Sequence, residues 1–273
     1  MFAAKSKISG VRCGSLINTS GCRREPDSCH AACARRLCRR GGVSYGPSMT
    51  DSSTIAAART EILQTIDTAA KKSGVAAPTL VAVSKVQPDT RIQAGLEAGL
   101  TVFGENRVQE AQSRWGETFA AHRAGLELHL IGPLQTNKAK DAVELFDVIQ
   151  TLDREKLVKA LLKAADAVGR MPRLFVQVNI GEEVQKSGLM PDDLGPFLDR
   201  LRSEYDLNPD GLMCIPPLDA PAAPYFWGLE KMAATHGLKG LSMGMSADYE
   251  TAIAYGATHV RVGSALFGER DYG

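Results

Sequence analysis

Eight short apolar runs, separated by stretches of helical spacing, constrain this chain more than any other feature. They fall at 79–84, 101–104, 127–131, 147–151, 173–180, 211–215, 241–243 and 259–263. Helical stretches are clearest at 154–168, 191–203, 224–236 and 247–255. A further helix is expected over 54–72, where Ile55, Ala58, Ile62, Ile66 and Ala69 recur near helical spacing and Gly74 follows as a stop. Eight strands alternating with helices predict an α/β fold, a (β/α)8 TIM barrel, in the span 49–273. A doubly wound open sheet is the competing architecture. It lacks a glycine-rich dinucleotide turn, since Gly132-Pro133-Leu134 does not match GxGxxG.

Residues 1–48 stand apart. They hold nine basic residues against Glu25 and Asp27, a net +7, so the remainder carries −6 of the whole chain's +1. Five of the six cysteines also lie there, Cys13, Cys22, Cys29, Cys33 and Cys38, with Cys214 alone in the body. Cys29, His30 and Cys33 make a zinc site conceivable, but the spacing has no paired second half, and the reading is no metal. The segment shows no hydrophobic period, and its composition suits either an organelle transit peptide or an over-extended start before a true Met49. It is expected to be a disordered extension outside the fold. The acidic body is not a nucleic-acid surface, and no apolar run is long enough to span a bilayer. A body with one cysteine suits a reducing compartment. The expectation is a cytoplasmic monomer, or an organellar one if residues 1–48 are a transit segment.

In a barrel of this kind the working residues sit at the C-terminal ends of the strands. The first such end is Lys85, which closes the run Leu80-Val81-Ala82-Val83-Ser84 just before Pro88 bars further pairing. Partial desolvation there disfavours the ammonium form and makes the amine a candidate nucleophile toward an aldehyde. A solvated strand-end lysine is the plainer alternative. The last two ends look like an anion site. Ser242-Met243-Gly244-Met245-Ser246 leads into a helix expected to begin near Ala247 with Ser246 as its cap, and Arg261-Val262-Gly263-Ser264 adds a second glycine turn with free amides. Simple turn chemistry would explain both loops equally. In a closed barrel strand one adjoins strand eight, so a phosphorylated aldehyde fits the pair. Pyridoxal 5′-phosphate (PLP) held as an internal aldimine and a Schiff-base aldolase both remain open on these residues.

The stretches VAVSKVQP, FGENRVQEAQSRW, LHLIGPLQTNK, VQVNIGEEVQKSG, GLMCIPP and LSMGMSADYETAIAYGATHVRVGSALFGERDY together resemble the YggS/PROSC family, the pyridoxal phosphate homeostasis proteins, over nearly all of 49–273. The resemblance implies a barrel similar to the N-terminal domain of alanine racemase. It implies PLP bound covalently to Lys85, and Asn106 beside the cofactor. It places Ser246, Gly263 and Ser264 on the phosphate and Arg261 at the pyridine nitrogen. His129, Ile131, Asn179 and Met243 are expected on strand ends facing the ring. A guanidinium at that nitrogen disfavours its protonation, which weakens the ring as an electron sink. No residue is assigned a catalytic role. After Phe267-Gly268 only five residues follow, and Tyr249, Tyr255 and Tyr272 are not placed as a second base, which argues against a racemase. The implied function is a binding protein that regulates free PLP, with indirect effects on amino-acid and keto-acid balance and PLP-dependent apoenzymes as possible recipients. The alternative is a racemase-like enzyme of low activity.

Overall fold

A computed structural model describes residues 52–269. The expectations for residues 1–48, including the cysteine cluster, and for Tyr272 lie outside those residues. Eight parallel strands close into a barrel in sequential order. They are β1 (Thr79–Val83), β2 (Val102–Glu105), β3 (Glu127–Leu130), β4 (Val148–Leu152), β5 (Arg173–Val178), β6 (Gly211–Cys214), β7 (Gly240–Met245) and β8 (His259–Val262). Around them lie α1 (Ser52–Ser73), α2 (Asp89–Glu97), α3 (Val108–Ala111), α4 (Ala139–Leu145), α5 (Glu155–Val168), α6 (Leu194–Tyr205), α7 (Ala223–Thr235), α8 (Tyr249–Ala254) and the single turn α9 (Ser264–Phe267). Among the described residues no helix is long and apolar enough to cross a membrane.

Helix α1 precedes the first strand and fills the ring by packing against α2 and α8. Its Ile55, Ile62, Ile66 and Ala70 make one buried stripe, and Gly74 ends it at φ +67. Strand β1 closes the barrel on β8, pairing Val81 with Arg261 and Ala82 with Val262.

The main apolar layer lies between strands and helices, where Phe103, Leu130, Ile149, Val176, Leu212 and Val260 join Trp115, Phe146, Leu161, Leu198 and Leu229. The barrel interior is different. A small apolar cluster of Val148, Phe175 and Met213 sits apart from the main core, and beside it runs a chain of polar side chains from four strands. The Arg261 guanidinium donates to Ser242 Oγ (2.7 Å), and Ser242 Oγ donates to Gln150 Oε1 (2.6 Å). Gln150 Nε2 then meets His129 Nδ1 at 2.7 Å, and His129 Nε2 meets Glu127 Oε1 at 2.6 Å. Because Ser242 already accepts from Arg261, its one proton goes to Gln150, whose amide nitrogen must then donate to His129. His129 therefore carries its hydrogen on Nε2. Every bond runs in one sense, from the arginine to the carboxylate, so each buried polar group is satisfied.

Candidate functional site

At the C-terminal ends of the strands opens a cavity of about 430 Å³, within the range of about 300–1,000 Å³ that holds small ligands. Lys85, Asn106, Ile131, Asn179, Ser246, Arg261, Gly263 and Ser264 all line it. His129 and Met243 do not.

Lys85 follows β1 in a turn whose Gln87 amide donates to Ser84 O at 3.1 Å, and its side chain is half-buried at the cavity wall. Asn106 leaves β2 beside the loop after β3. These two loops approach so closely that a Cβ on Gly132 would lie 2.3 Å from Asn106 O. Only glycine permits that contact.

Arg261 is 4% exposed and spends two donors on Ser242 Oγ and on Cys214 O (2.8 Å). Among the described residues no carboxylate lies within ion-pairing distance of it. Asp248, at the cap position of α8, accepts the Met245 N–H at 2.6 Å. Burial pushes the Arg261 guanidinium below its ordinary range, with Asp248 and Cys214 opposing. It is a cation held by neutral acceptors.

Ser246 occupies the turn after β7, and α8 begins only at Tyr249 with Asp248 at the cap position. The expectation that Ser246 caps a helix starting near Ala247 is therefore corrected. The turn inserts Ala247 and Asp248 between the serine and the helix. Ser246 Oγ instead accepts the Gly263 N–H at 3.3 Å, which ties the loops after β7 and β8 together at the cavity wall.

Met243 is corrected as well. It is fully buried in the outer layer against the helices. Alternation along β7 turns Ser242 into the barrel and so turns Met243 out. The pairing register of β7 with β8 then shifts between Ser242 and Met245, and Met245 is the side chain that reaches the cavity. Gly244 makes the shift possible. Its φ is +91, and a Cβ there would lie 2.6 Å from Ala252 Cβ in α8. His129 does point into the barrel, but it lies in the polar chain below the cavity rather than at its wall.

Asn179 reaches the wall with its amide already engaged. It donates to Glu183 O (2.8 Å) and accepts the Glu183 N–H (3.2 Å). Gln177 Nε2 donates to Ser187 O at 3.0 Å. The two amides hold the loop after β5, which brings Lys186 to the cavity, where it pairs with Glu183 and donates to Pro216 O (3.1 Å). Gln177, Lys186 and Met245 were missed from the sequence. Strand alternation from Asn179 points to Gln177, whereas the other two depend on loop geometry and a register shift that leave no local signal.

A profile of the family described as "Alanine racemase, N-terminal domain" matches residues 58–271. The pyridoxal phosphate homeostasis protein of Escherichia coli is 39% identical over 202 residues, covering 71% of this chain and 86% of its own length. That of Pseudomonas aeruginosa is 38% identical over 230 residues, covering 81% and 98%. The chain belongs to the pyridoxal phosphate homeostasis protein family. Among solved structures, PipY of Synechococcus elongatus with PLP bound superposes with a TM-score of 0.67 at 36% identity, covering 78% of this chain and all of that one. The alanine racemase of Bartonella henselae, at 13% identity and a TM-score of 0.62, covers 81% of this chain and 60% of its own. That likeness is one of fold, and it agrees with the barrel expected from the sequence.

Proposed function

We propose that this chain binds PLP in the cavity, linked through Lys85 Nζ, and serves PLP homeostasis as a binding protein rather than an enzyme. One observation carries the reading: an amine, a buried arginine held by neutral acceptors, and two hydroxyl- and amide-bearing loops all converge on one cofactor-sized cavity. The names of the relatives and the PLP-bound neighbour support it. When bound, PLP supplies an aldehyde to an amine and a ring whose electron demand depends on protonation of its nitrogen.

The residues divide the work by position. Lys85 faces the aldehyde from β1. From the turns after the adjacent strands β7 and β8, Ser246 and Ser264 offer hydroxyls to the phosphate, with Gly263, whose N–H is shared with Ser246 Oγ, beside them. Arg261 faces the pyridine nitrogen and disfavours its protonation, because a second positive charge beside a buried guanidinium is costly. Among the described residues, the titratable side chains at the wall are Lys85, Lys186 and Arg261, all basic. A two-base proton transfer requires a partner base within reach of the substrate carbon, and this wall supports retention better than turnover. Recipient apoenzymes, and the effects on amino-acid and keto-acid balance, belong to the same proposal.

Absorbance of the purified chain with PLP, borohydride reduction and peptide mapping test it. A band near the visible edge, fixed by borohydride on Lys85 and lost in Lys85→Ala, is the expected outcome. The variant's Tm should barely move, since a half-exposed rim side chain is worth within about 0.5 kcal/mol. Reduced cofactor on Lys138 or Lys186 would refute the assignment, and steady turnover of amino acids would favour the racemase-like alternative.

A further inference from the structure

The turn that carries Lys85 is strained. Val86, a β-branched residue, is held at φ +58, in the left-handed region that such residues avoid. Left alone, the segment would relax and swing the Lys85 amine with it. Three side chains prevent this, and none of them lines the cavity. The Val86 N–H donates to Glu110 Oε1 at 2.7 Å. Arg114 then grips both ends of the turn with one guanidinium, its Nη1 donating to Ser84 O (3.2 Å) and its Nη2 to Gln87 O (2.9 Å). Arg114 is itself fixed by Glu105 Oε1 at 2.7 Å, Glu110 Oε1 at 3.3 Å and Asp89 Oδ1 at 3.5 Å.

Glu105 is fully buried at the end of β2, and its Oε1 also receives Ser84 Oγ (2.7 Å) and Trp115 Nε1 (3.1 Å). Its other oxygen is buried without a hydrogen bond. A buried carboxylate used this incompletely is poor value as a fold stabiliser, since burying a charge offsets most of what its pairing returns. Its arrangement makes sense as an anchor for Arg114. The helical segment is distorted to suit. Arg114 and Trp115 lie in a π-helix, Gln112–Thr118, that continues α3, and π-turns of this kind gather at functional sites. An ion pair serving only to hold this helix on the barrel would not need two carbonyls on either side of Lys85.

We propose that Arg114, with Glu105 and Glu110 behind it, is the positioning residue for Lys85. It locks the turn over residues 84–87 so that the amine meets an aldehyde in the cavity at a productive angle. The inference rests on the reading that Lys85 takes the aldehyde of PLP. In that step the unprotonated amine adds to the aldehyde carbon, C=N replaces C=O, and the oxygen leaves as water with both amine hydrogens. Arg114 touches neither reacting atom and acts through the backbone.

The test uses the full chain and two ligands. PLP forms the link, whereas pyridoxamine 5′-phosphate, an amine in place of the aldehyde, occupies the cavity without it. Arg114→Gln is expected to slow appearance of the linked absorbance band by about ten- to a hundred-fold, the cost of a small misplacement of a reacting group. Affinity for pyridoxamine 5′-phosphate should stay unchanged, and Arg114→Lys, able to hold one carbonyl, should fall between. Glu110→Ala, which frees the Val86 N–H at a partly exposed site, should slow the link in the same sense and decides the matter if Arg114→Gln does not fold. Linking at the wild-type rate in the folded variants, or equal weakening of both ligands, overturns the inference while leaving Lys85 as the linked residue. A wild-type chain whose reduced PLP maps away from Lys85 overturns the underlying reading, and this inference with it.

Discussion

Ser246 shows how one side chain's role is set by what surrounds it. It does not cap α8, and among the described residues its removal forfeits one hydrogen bond, that from the Gly263 amide. Ser246→Ala should therefore cost stability only about 0.5–1.5 kcal/mol, the usual net worth of one hydrogen bond. If the hydroxyl also meets the phosphate, binding loses a charge-assisted bond of about 1.5–3 kcal/mol, roughly ten- to a hundred-fold in affinity. Titration calorimetry with PLP and with pyridoxal separates the two effects. PLP should weaken sharply and pyridoxal hardly at all. Equal weakening would mean that the phosphate sits elsewhere. Arg261, close by on β8, lines the same cavity and spends two of its donors on a hydroxyl and a carbonyl, both neutral acceptors.

Strands β3 and β8 carry the floor of the barrel, and their ionisable groups make that floor sensitive to acid. His259 packs its ring edge-on to Phe175 and tilted to His129. Burial, helped by the nearby His129, Arg173 and Arg261, lowers its pKa to about 4 from 6.5. In the unfolded chain His259 takes a proton below pH 6.5, but in the barrel only below about 4. Protons therefore favour unfolding across that interval, and stability falls as pH drops through it. Glu127 adds a second phase. The hydrogen bond with His129 comes first, and with Arg173 it lowers the carboxyl from 4.5 to about 2 against some desolvation. That contribution is complete above pH 4.5 and is lost as pH falls toward 2. Calorimetric Tm should thus decline first between pH 6.5 and 4, by at most about 1.4 kcal/mol of stability per pH unit for one proton. His259→Phe, which keeps a ring against Phe175, should flatten the first phase and spare the second. An unchanged first phase would show that another group carries it.

For the molecule as a whole, the closed sheet, the helices and the cavity described above lie within residues 52–269, and the family match spans 58–271. A chain begun at Met49 is therefore expected to show the Tm and the PLP affinity of the full chain, measured side by side by calorimetry and absorbance titration. A drop in either would assign residues 1–48 a part in the fold or the site. The barrel also explains why one cavity can gather groups so distant in sequence. Lys85 follows β1 and Arg261 stands on β8, the first and last strands, which pair directly.

The sequence alone determined the architecture, because strands buried on both faces must be short apolar runs and the helices between them must show their own period. It also determined that Lys85, Asn106, Arg261 and the two glycine-bearing loops meet, since a barrel collects strand ends whatever lies between them. Three things were decided only in the folded molecule. Which methionine of β7 faces the cavity depends on a register shift at Gly244, and a shift of one residue exchanges the two faces of a strand. How deep His129 lies depends on how the strands tilt and stagger around the barrel, which sets it among Gln150 and Glu127 rather than at the wall. And the brace on Lys85 comes from Arg114, nearly thirty positions away, through backbone carbonyls that carry no side-chain signature. Local pattern encodes which face of an element is apolar. It does not encode the long-range hydrogen bonds that form only once the sheet has closed.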